Sequence, residues 1–255
     1  MIKKFAIIIE SHNVAGQKII PGAKKDAEQW YAYLRSDLGG AWAESEIAVL
    51  NKPSLGDVQS LLAAHSGDYL FVAFSGHGYE EVSYYGNTVK ACLNDNEQDV
   101  AIDLIRPKYF GTAVFDCCRG LEYAERIAIC NEAVAMDSFG ATCREHEMNK
   151  HAAVRRVLCR AAFDVDLQKR QGQASVRMLS CASNESAGEN PSAGGYYTTL
   201  LMAGARKWEQ GFVGRGIYST LDAHLFACAK MPQFNPRQHP QYDPSNQIYP
   251  FAVNV

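Results

Sequence analysis

Short apolar runs alternate with segments of helical periodicity along most of the chain. The runs are nearly continuous, as in buried strands of a parallel sheet, and the other segments space their apolar residues three and four positions apart. The predicted strands cover 4–10, 46–50, 69–75, 89–93, 112–117, 175–182 and 251–255, and the predicted helices cover 22–38, 54–67, 102–109, 121–174, 196–208 and 216–230. Such alternation predicts a doubly wound, mostly parallel α/β sheet.

Three segments lack this regularity. Residues 80–87 are polar and aromatic and predict a surface loop, residues 183–195 predict a loop lining a cleft, and the proline-rich residues 232–250 predict an extended surface segment. Within the predicted helical region 121–174, one apolar face is formed by Val154, Val157, Leu158, Ala161, Ala162 and Val165.

Length and charge narrow the class of protein. A chain of 255 residues with no linker suits one α/β domain, residues 1–255. The net charge is −3 and no basic stripe occurs, so we expect no nucleic-acid partner. We also expect no membrane association, and the N-terminal apolar run Phe5–Ile9 is too short for a signal peptide. Eight cysteines without a CxxC pair predict reduced thiols in a cytoplasmic protein and no zinc site.

Two predicted strands end abruptly at reactive residues. One is followed by Gly76-His77-Gly78, and the other leads into Cys118-Arg119-Gly120. Because the carboxyl ends of parallel strands open into one crevice, His77 and Cys118 are expected to lie together. A thiolate attacks carbonyl carbon and a nearby imidazole moves the proton, while the N–H groups of Gly78 and Cys118 can face an oxyanion. The pattern predicts a cysteine peptidase.

Ordinary explanations exist for each residue alone. His77 could simply end a strand, and Cys118 could be a small buried hydrophobe. A redox role for Cys117 and Cys118 is a further alternative, although a disulfide between adjacent cysteines strains the peptide between them. The coincidence of both residues at strand ends, each beside a glycine, favours the peptidase.

The two strand-end motifs resemble the signatures of caspase-like peptidases (clan CD, family C14). Cys118-Arg119-Gly120 matches the second half of the caspase pattern, and His77 lies 118 − 77 = 41 residues upstream, against about 50 in caspases. Asp116, two residues before Cys118, is similar to the Asp-Xaa-Cys-His-Ser-Gly motif of metacaspases and bacterial orthocaspases. The His-Ser of that motif is absent here.

Weaker similarities extend along the chain. Residues 21–27 resemble the opening of a metacaspase helix, and 178–182 with 195–201 resemble the small-subunit strand and helix. The resemblance implies a six-stranded sheet in a three-layer α/β/α arrangement. It also implies a large-subunit-like part at 1–120, a linker at 121–174 and a small-subunit-like part at 175–255.

The resemblance also assigns roles. It aligns Cys118 with the nucleophile, which leaves Cys117 on the opposite face of the strand. It places Asp26 and Asp116 in an acidic S1 pocket that favours arginine or lysine at P1, since a cation relieves the cost of a buried carboxylate. Asp26 could instead stabilise a helix N-terminus, and Asp116 could be a turn residue. Ser183 is a candidate for the substrate groove.

No cofactor or metal is expected to be required. Some metacaspases bind calcium, which leaves calcium activation open, and this chain has an acidic run with Asp95, Glu97, Asp99 and Asp103. Its spacing does not match an EF-hand, so a solvated loop is favoured. The implied partners are a protein or peptide substrate and a regulatory protein acting in trans. The arginine-rich region 121–174 is either a self-cleavage segment or a solvated helical face. A catalytically silent binding module is the alternative function.

Overall fold

The structure is a computed structural model that describes residues 2–84, 86–120, 150–211, 215–244 and 246–255. Its strands are β1 (Lys4–Ser11), β2 (Ile47–Asn51), β3 (Tyr69–Gly76), β4 (Gly78–Ser83), β5 (Gly86–Ala91), β6 (Val100–Ala101), β7 (Gly111–Asp116), β8 (Val176–Leu179), β9 (Glu189–Asn190), β10 (Gly194–Gly195), β11 (Gly216–Ser219), β12 (Gln241–Asp243) and β13 (Pro250–Asn254). Its helices are α1 (Pro21–Arg35), α2 (Leu55–Ala64), α3 (Lys150–Lys169), α4 (Tyr196–Gly211) and α5 (Thr220–Lys230).

A six-stranded sheet with the order β12-β8-β7-β3-β1-β2 forms the centre of the molecule. Five of its strands run parallel, and β12 pairs antiparallel with β8. The chain leaves β1 toward β2 on one side and later extends from β3 toward β7 on the other. The switch point therefore lies between the carboxyl ends of β1 and β3, where open α/β sheets bind ligands. The predicted mostly parallel, doubly wound sheet is confirmed.

Two apolar cores cover the two faces of this sheet. Alternate residues of β1 divide between them: Ile8 packs in the core beneath α1, α3, α4 and α5, and Ile7 packs in the core beneath α2 and the β4–β5 hairpin. Successive side chains of a strand point to opposite faces of the sheet, so neighbouring residues of β1 are buried in different cores. Both faces being apolar explains the continuous apolar runs seen in the sequence.

The segment 80–87 is not a surface loop, as predicted, but most of a β-hairpin. β4 and β5 pair antiparallel from Gly78↔Ala91 to Ser83↔Gly86, and Glu80 is only 2% exposed. The predicted edge strand at 89–93 is the second arm of this hairpin. The predicted helix at 102–109 is a single 3-10 turn, Ile102–Leu104.

Helix α3 buries a different face from the predicted one. Val154 and Val157 are exposed, whereas Cys159, Phe163 and Leu167 pack in the core. The side chain of Arg156 donates to the carbonyl of Arg35, and Arg160 donates to that of Ala41. These anchors turn the Cys159–Leu167 stripe inward.

The C-terminal quarter contains more strand than predicted. Residues 216–219 form β11 ahead of α5, and β11 pairs antiparallel with β13 outside the central sheet. The expected extended surface segment supplies β12, the sixth strand of that sheet. The predicted strand 175–182 is shorter, since β8 spans Val176–Leu179. In the described ranges, none of the helices has the length and apolarity needed to cross a bilayer.

A buried ion pair ties the first strand to α3. Nζ of Lys4 lies 2.5 Å from Oδ1 of Asp164, and the Lys4 side chain is fully buried. Its ammonium lies 5.2 Å from the ring centroids of Trp42 and Phe163. Burial lowers the pKa of Lys4, and the Asp164 carboxylate opposes that shift. The carboxylate thus compensates a charge that has no access to water.

Replacing Asp164 by asparagine is expected to lower the free energy of unfolding by about 3–5 kcal/mol, because a buried ammonium loses its counter-charge. Urea denaturation measures this. The exposed pair Arg177–Asp243 serves as the control, and Asp243→Asn should cost less than about 1 kcal/mol. Equal losses of unfolding free energy in the two variants would contradict the expectation that a buried ion pair is more costly to break than an exposed one.

Candidate active site

The candidate active site lies at the carboxyl ends of β3 and β7. These neighbouring parallel strands are in register up to Ser75↔Asp116. His77 and Cys118 each follow that last pair by two residues. Both predicted residues therefore follow strand ends on one rim of the sheet, near the switch point.

His77 is held by the loop that follows β1. Its Nε2 lies 2.5 Å from the carbonyl oxygen of Lys18. A carbonyl can only accept, so Nε2 carries the proton and Nδ1 is the ring nitrogen left with a lone pair. Burial lowers the pKa of His77 below its ordinary value, although the bond to Lys18 opposes this shift. A neutral imidazole at neutral pH is the form that can accept a proton.

The adjacent cysteines differ in their surroundings. Cys118 is partly buried, and its Sγ lies 3.7 Å from the carbonyl oxygen of Ala187. Cys117 packs in the core beneath α2, and burial raises the pKa of its thiol well above the ordinary value. No disulfide joins any of the six cysteines in the described part of the chain. A deeply buried, protonated Cys117 is poorly suited to redox exchange.

Gly78 is required by a close approach. A Cβ on this residue would lie 2.8 Å from Sγ of Cys117 and 2.7 Å from the carbonyl oxygen of Lys90. The glycine therefore lets β4 turn away directly after His77 while it packs against the end of β7.

Asp26 and Asp116 face each other beneath the site. Asp26 is 1% exposed, and it accepts from Oγ of Ser75 at 2.5 Å and from the Gly195 N–H at 2.8 Å. Asp116, the last residue of β7, accepts from the N–H and hydroxyl of Thr198. Neither carboxylate forms an ion pair within the described residues. Asp26 lies beyond the first turn of α1, so the helix-capping explanation is wrong.

The electrostatics of this pair follow from burial. Burial raises the pKa of Asp116, while the bonds from Thr198 and Ser180 oppose the rise. Burial, and then the neighbouring Asp116, raise the pKa of Asp26 well above its ordinary value. Two nearly buried carboxylates without a cation carry a large unfavourable energy that a positive ligand would relieve.

Glu189 is a third carboxylate of this group that sequence reasoning missed. It is partly buried at the start of β9 and accepts from the Gly22 N–H at the start of α1. Burial raises its pKa, and the Asp116 charge adds to the rise. A Cβ at Gly22 would collide with the Glu189 carboxylate.

Other predicted residues lie apart. Ser183 is exposed on the loop that runs beside the Arg119 turn. In the acidic run, Asp95 and Asp103 form ion pairs with Lys52 and Arg106, and Asp99 accepts from the Tyr79 hydroxyl. No group of three potential metal ligands comes together in the part of the chain that the structure describes. Two of the arginines of the expected self-cleavage segment, Arg126 and Arg144, lie outside the described residues.

Comparisons with known proteins agree with this geometry. The sequence model of the caspase domain matches residues 3–249. The crystal structure of caspase-1 from Spodoptera frugiperda superimposes with a TM-score of 0.59 at 12% identity, covering 99% of this chain and 93% of that chain. At that identity the likeness establishes a caspase-like fold. A search of curated protein sequences gives no significant match.

Proposed function

The chain belongs to the caspase-domain family of cysteine peptidases, and from that premise we propose an endopeptidase of the metacaspase or orthocaspase type that cleaves after arginine or lysine. The observation that supports the proposal is the pairing of β3 with β7 up to Ser75↔Asp116, two residues before His77 and Cys118. We further propose that the whole chain is one catalytic domain that needs no metal or cofactor.

In the proposed mechanism, Nδ1 of His77 takes the proton of the Cys118 thiol, and the thiolate attacks the scissile carbonyl carbon. The Lys18 carbonyl holds the imidazole through Nε2. The N–H groups of Gly78 and Cys118 stabilise the oxyanion. The imidazolium then protonates the leaving amine, and water attacks the thioester with His77 as the base.

The proposed preference for a basic P1 residue rests on a group of buried acidic side chains without a cationic partner. Asp116 raises the pKa values of both Asp26 and Glu189, and none of the three forms an ion pair with a described lysine or arginine. A guanidinium that enters from the cleft would lose its water shell, and charge-assisted hydrogen bonds to these acidic side chains would compensate for that loss. An aspartate at P1 would meet like charge.

A panel of fluorogenic peptides differing at P1 tests the proposal. Wild-type protein is expected to hydrolyse the arginine and lysine peptides at least about 100-fold faster than the aspartate peptide, since like charges at the pocket cost several kcal/mol. Cys118→Ala protein is the blank for contaminating peptidases. Preference for aspartate would overturn the pocket, and binding of peptides without turnover would support the silent binding module instead.

A further inference from the structure

A buried ion pair connects the two segments that carry the catalytic residues. Arg119 follows Cys118 directly, and Glu80 lies three residues after His77 on β4. Nη2 of Arg119 is 3.0 Å from Oε1 of Glu80. Both side chains are largely excluded from water, Glu80 almost completely. The pair therefore spans the gap between the imidazole-bearing and thiol-bearing segments.

Backbone contacts run alongside this pair. The Glu80 N–H donates to the carbonyl of Gly120 at 3.0 Å, and Nη1 of Arg119 donates to the carbonyl of Cys181 at 3.2 Å. The Arg119 N–H donates to the backbone carbonyl of Glu185 at 2.8 Å, and the Arg119 carbonyl accepts from the backbone N–H of Asn184. Arg119 is thus the residue on which the hairpin, the turn after Cys118 and the cleft loop converge.

The ion pair is poorly arranged for stability. Oε2 of Glu80 and Nε of Arg119 are both buried and have no hydrogen-bond partner among the described residues. A buried pair offsets its desolvation cost only when the remaining polar atoms are also satisfied. The contact between Glu80 and Arg119 does, however, hold β4 and the turn after β7 at a set separation, because the backbone bond from Glu80 to Gly120 joins the same two segments.

We propose that Glu80 is a positioning residue for the cysteine nucleophile: through Arg119 it holds the turn after β7 and so sets where Sγ of Cys118 lies relative to the imidazole of His77. This inference rests on the proposed peptidase function. Glu80 touches neither substrate nor the reacting atoms. Arg119 is one position from Cys118, and Glu80 is three positions from His77. A small shift of the ion pair therefore displaces both reacting atoms.

The test compares Glu80→Gln with Glu81→Gln. Glu81 is the next residue of β4, and its ion-pair partner is Lys90, at 3.0 Å. Glu80→Gln is expected to lower kcat on an arginine peptide about 10- to 100-fold with KM within about twofold, since a misplacement near 1 Å costs that much. Glu81→Gln is expected to match wild type.

A second readout reports the thiol itself. The rate at which iodoacetamide alkylates Cys118, followed by peptide mass spectrometry against pH, measures its thiolate fraction. Glu80→Gln should move this profile to higher pH, because the imidazole supports the thiolate less well. Glu80→Asp keeps the charge on a shorter side chain, and its kcat and alkylation profile should fall between those of wild type and Glu80→Gln. The aspartate variant also tests the proposal if the glutamine variant does not fold. A lower Tm in the folded variants with unchanged kcat and an unchanged profile would overturn the proposal.

The alkylation profile also separates this inference from the peptidase proposal. If wild-type protein hydrolyses no peptide but the Cys118 profile still shifts in Glu80→Gln, the positioning role stands and the peptidase proposal fails. If peptides are hydrolysed and neither kcat nor the profile responds, the positioning role alone fails.

Discussion

Replacing Cys118 by alanine is expected to reduce kcat on an arginine peptide by at least about 10⁴-fold, because the reaction loses its nucleophile. Replacing Cys117 by alanine is expected to change kcat by less than about threefold. The two thiols belong to consecutive residues, but only Cys117 is packed in the core. The pair therefore offers a matched control within a single strand end.

Single-turnover kinetics with both variants measures the difference. Removing Sγ from Cys117 also removes its packing against Gly78, and we expect a loss of about 1 kcal/mol in the free energy of unfolding. The assignment of the nucleophile would be wrong if Cys117→Ala were inactive while folded and Cys118→Ala were active.

Replacing Asp116 by asparagine is expected to lower kcat/KM for arginine peptides about 100- to 1000-fold, as loss of one partner of a buried charge pair does. The same variant should be more stable than wild type by about 1–2 kcal/mol, because a buried charge beside Asp26 disappears. One oxygen of Asp116 accepts both bonds from Thr198, so an asparagine oxygen can keep them. Activity and stability are thus expected to change in opposite directions.

The pH dependence of stability tests whether the Asp116 carboxylate lowers the stability of the wild-type protein. Because the folded-state pKa of Asp116 is raised, the folded protein binds more protons than the unfolded chain between the ordinary carboxyl value and the raised one. Wild-type stability should therefore fall as pH rises through that window, and part of the fall should be absent in Asp116→Asn. Urea denaturation across pH 4–8 measures both, with Asp243→Asn as the exposed control. A destabilised but correctly folded Asp116→Asn would contradict the account.

The strand ends were predictable and the loops around them were not. A buried parallel strand ends where its apolar run stops, which is why His77 and Cys118 could be assigned from sequence to the ends of β3 and β7. The Lys18 carbonyl has no such signal, since every residue carries a carbonyl group. Glu189 comes to the site through loop geometry, which residue types do not specify.

Two errors have a common physical origin. The polar and aromatic composition of residues 80–87 predicts a surface loop, but Glu80 is buried. Its partner Arg119 lies 39 positions away, and glutamate is rarely fully buried without such a partner. In α3, valines and a cysteine–phenylalanine–leucine stripe offered competing apolar faces. The arginine anchors that select between them bind carbonyl groups more than a hundred positions earlier. Local pattern decides element type well, but these contacts are decided by distant partners.

Strand β12 has a consequence for how the sheet can grow. It occupies the outer hydrogen-bonding positions of β8, where an incoming polypeptide would otherwise extend the sheet. Pro240 and Pro244 flank its three residues and lack N–H donors. A second copy approaching this flank would meet a short strand bordered by residues that cannot continue the ladder, so β12 shields β8 from edge-to-edge association.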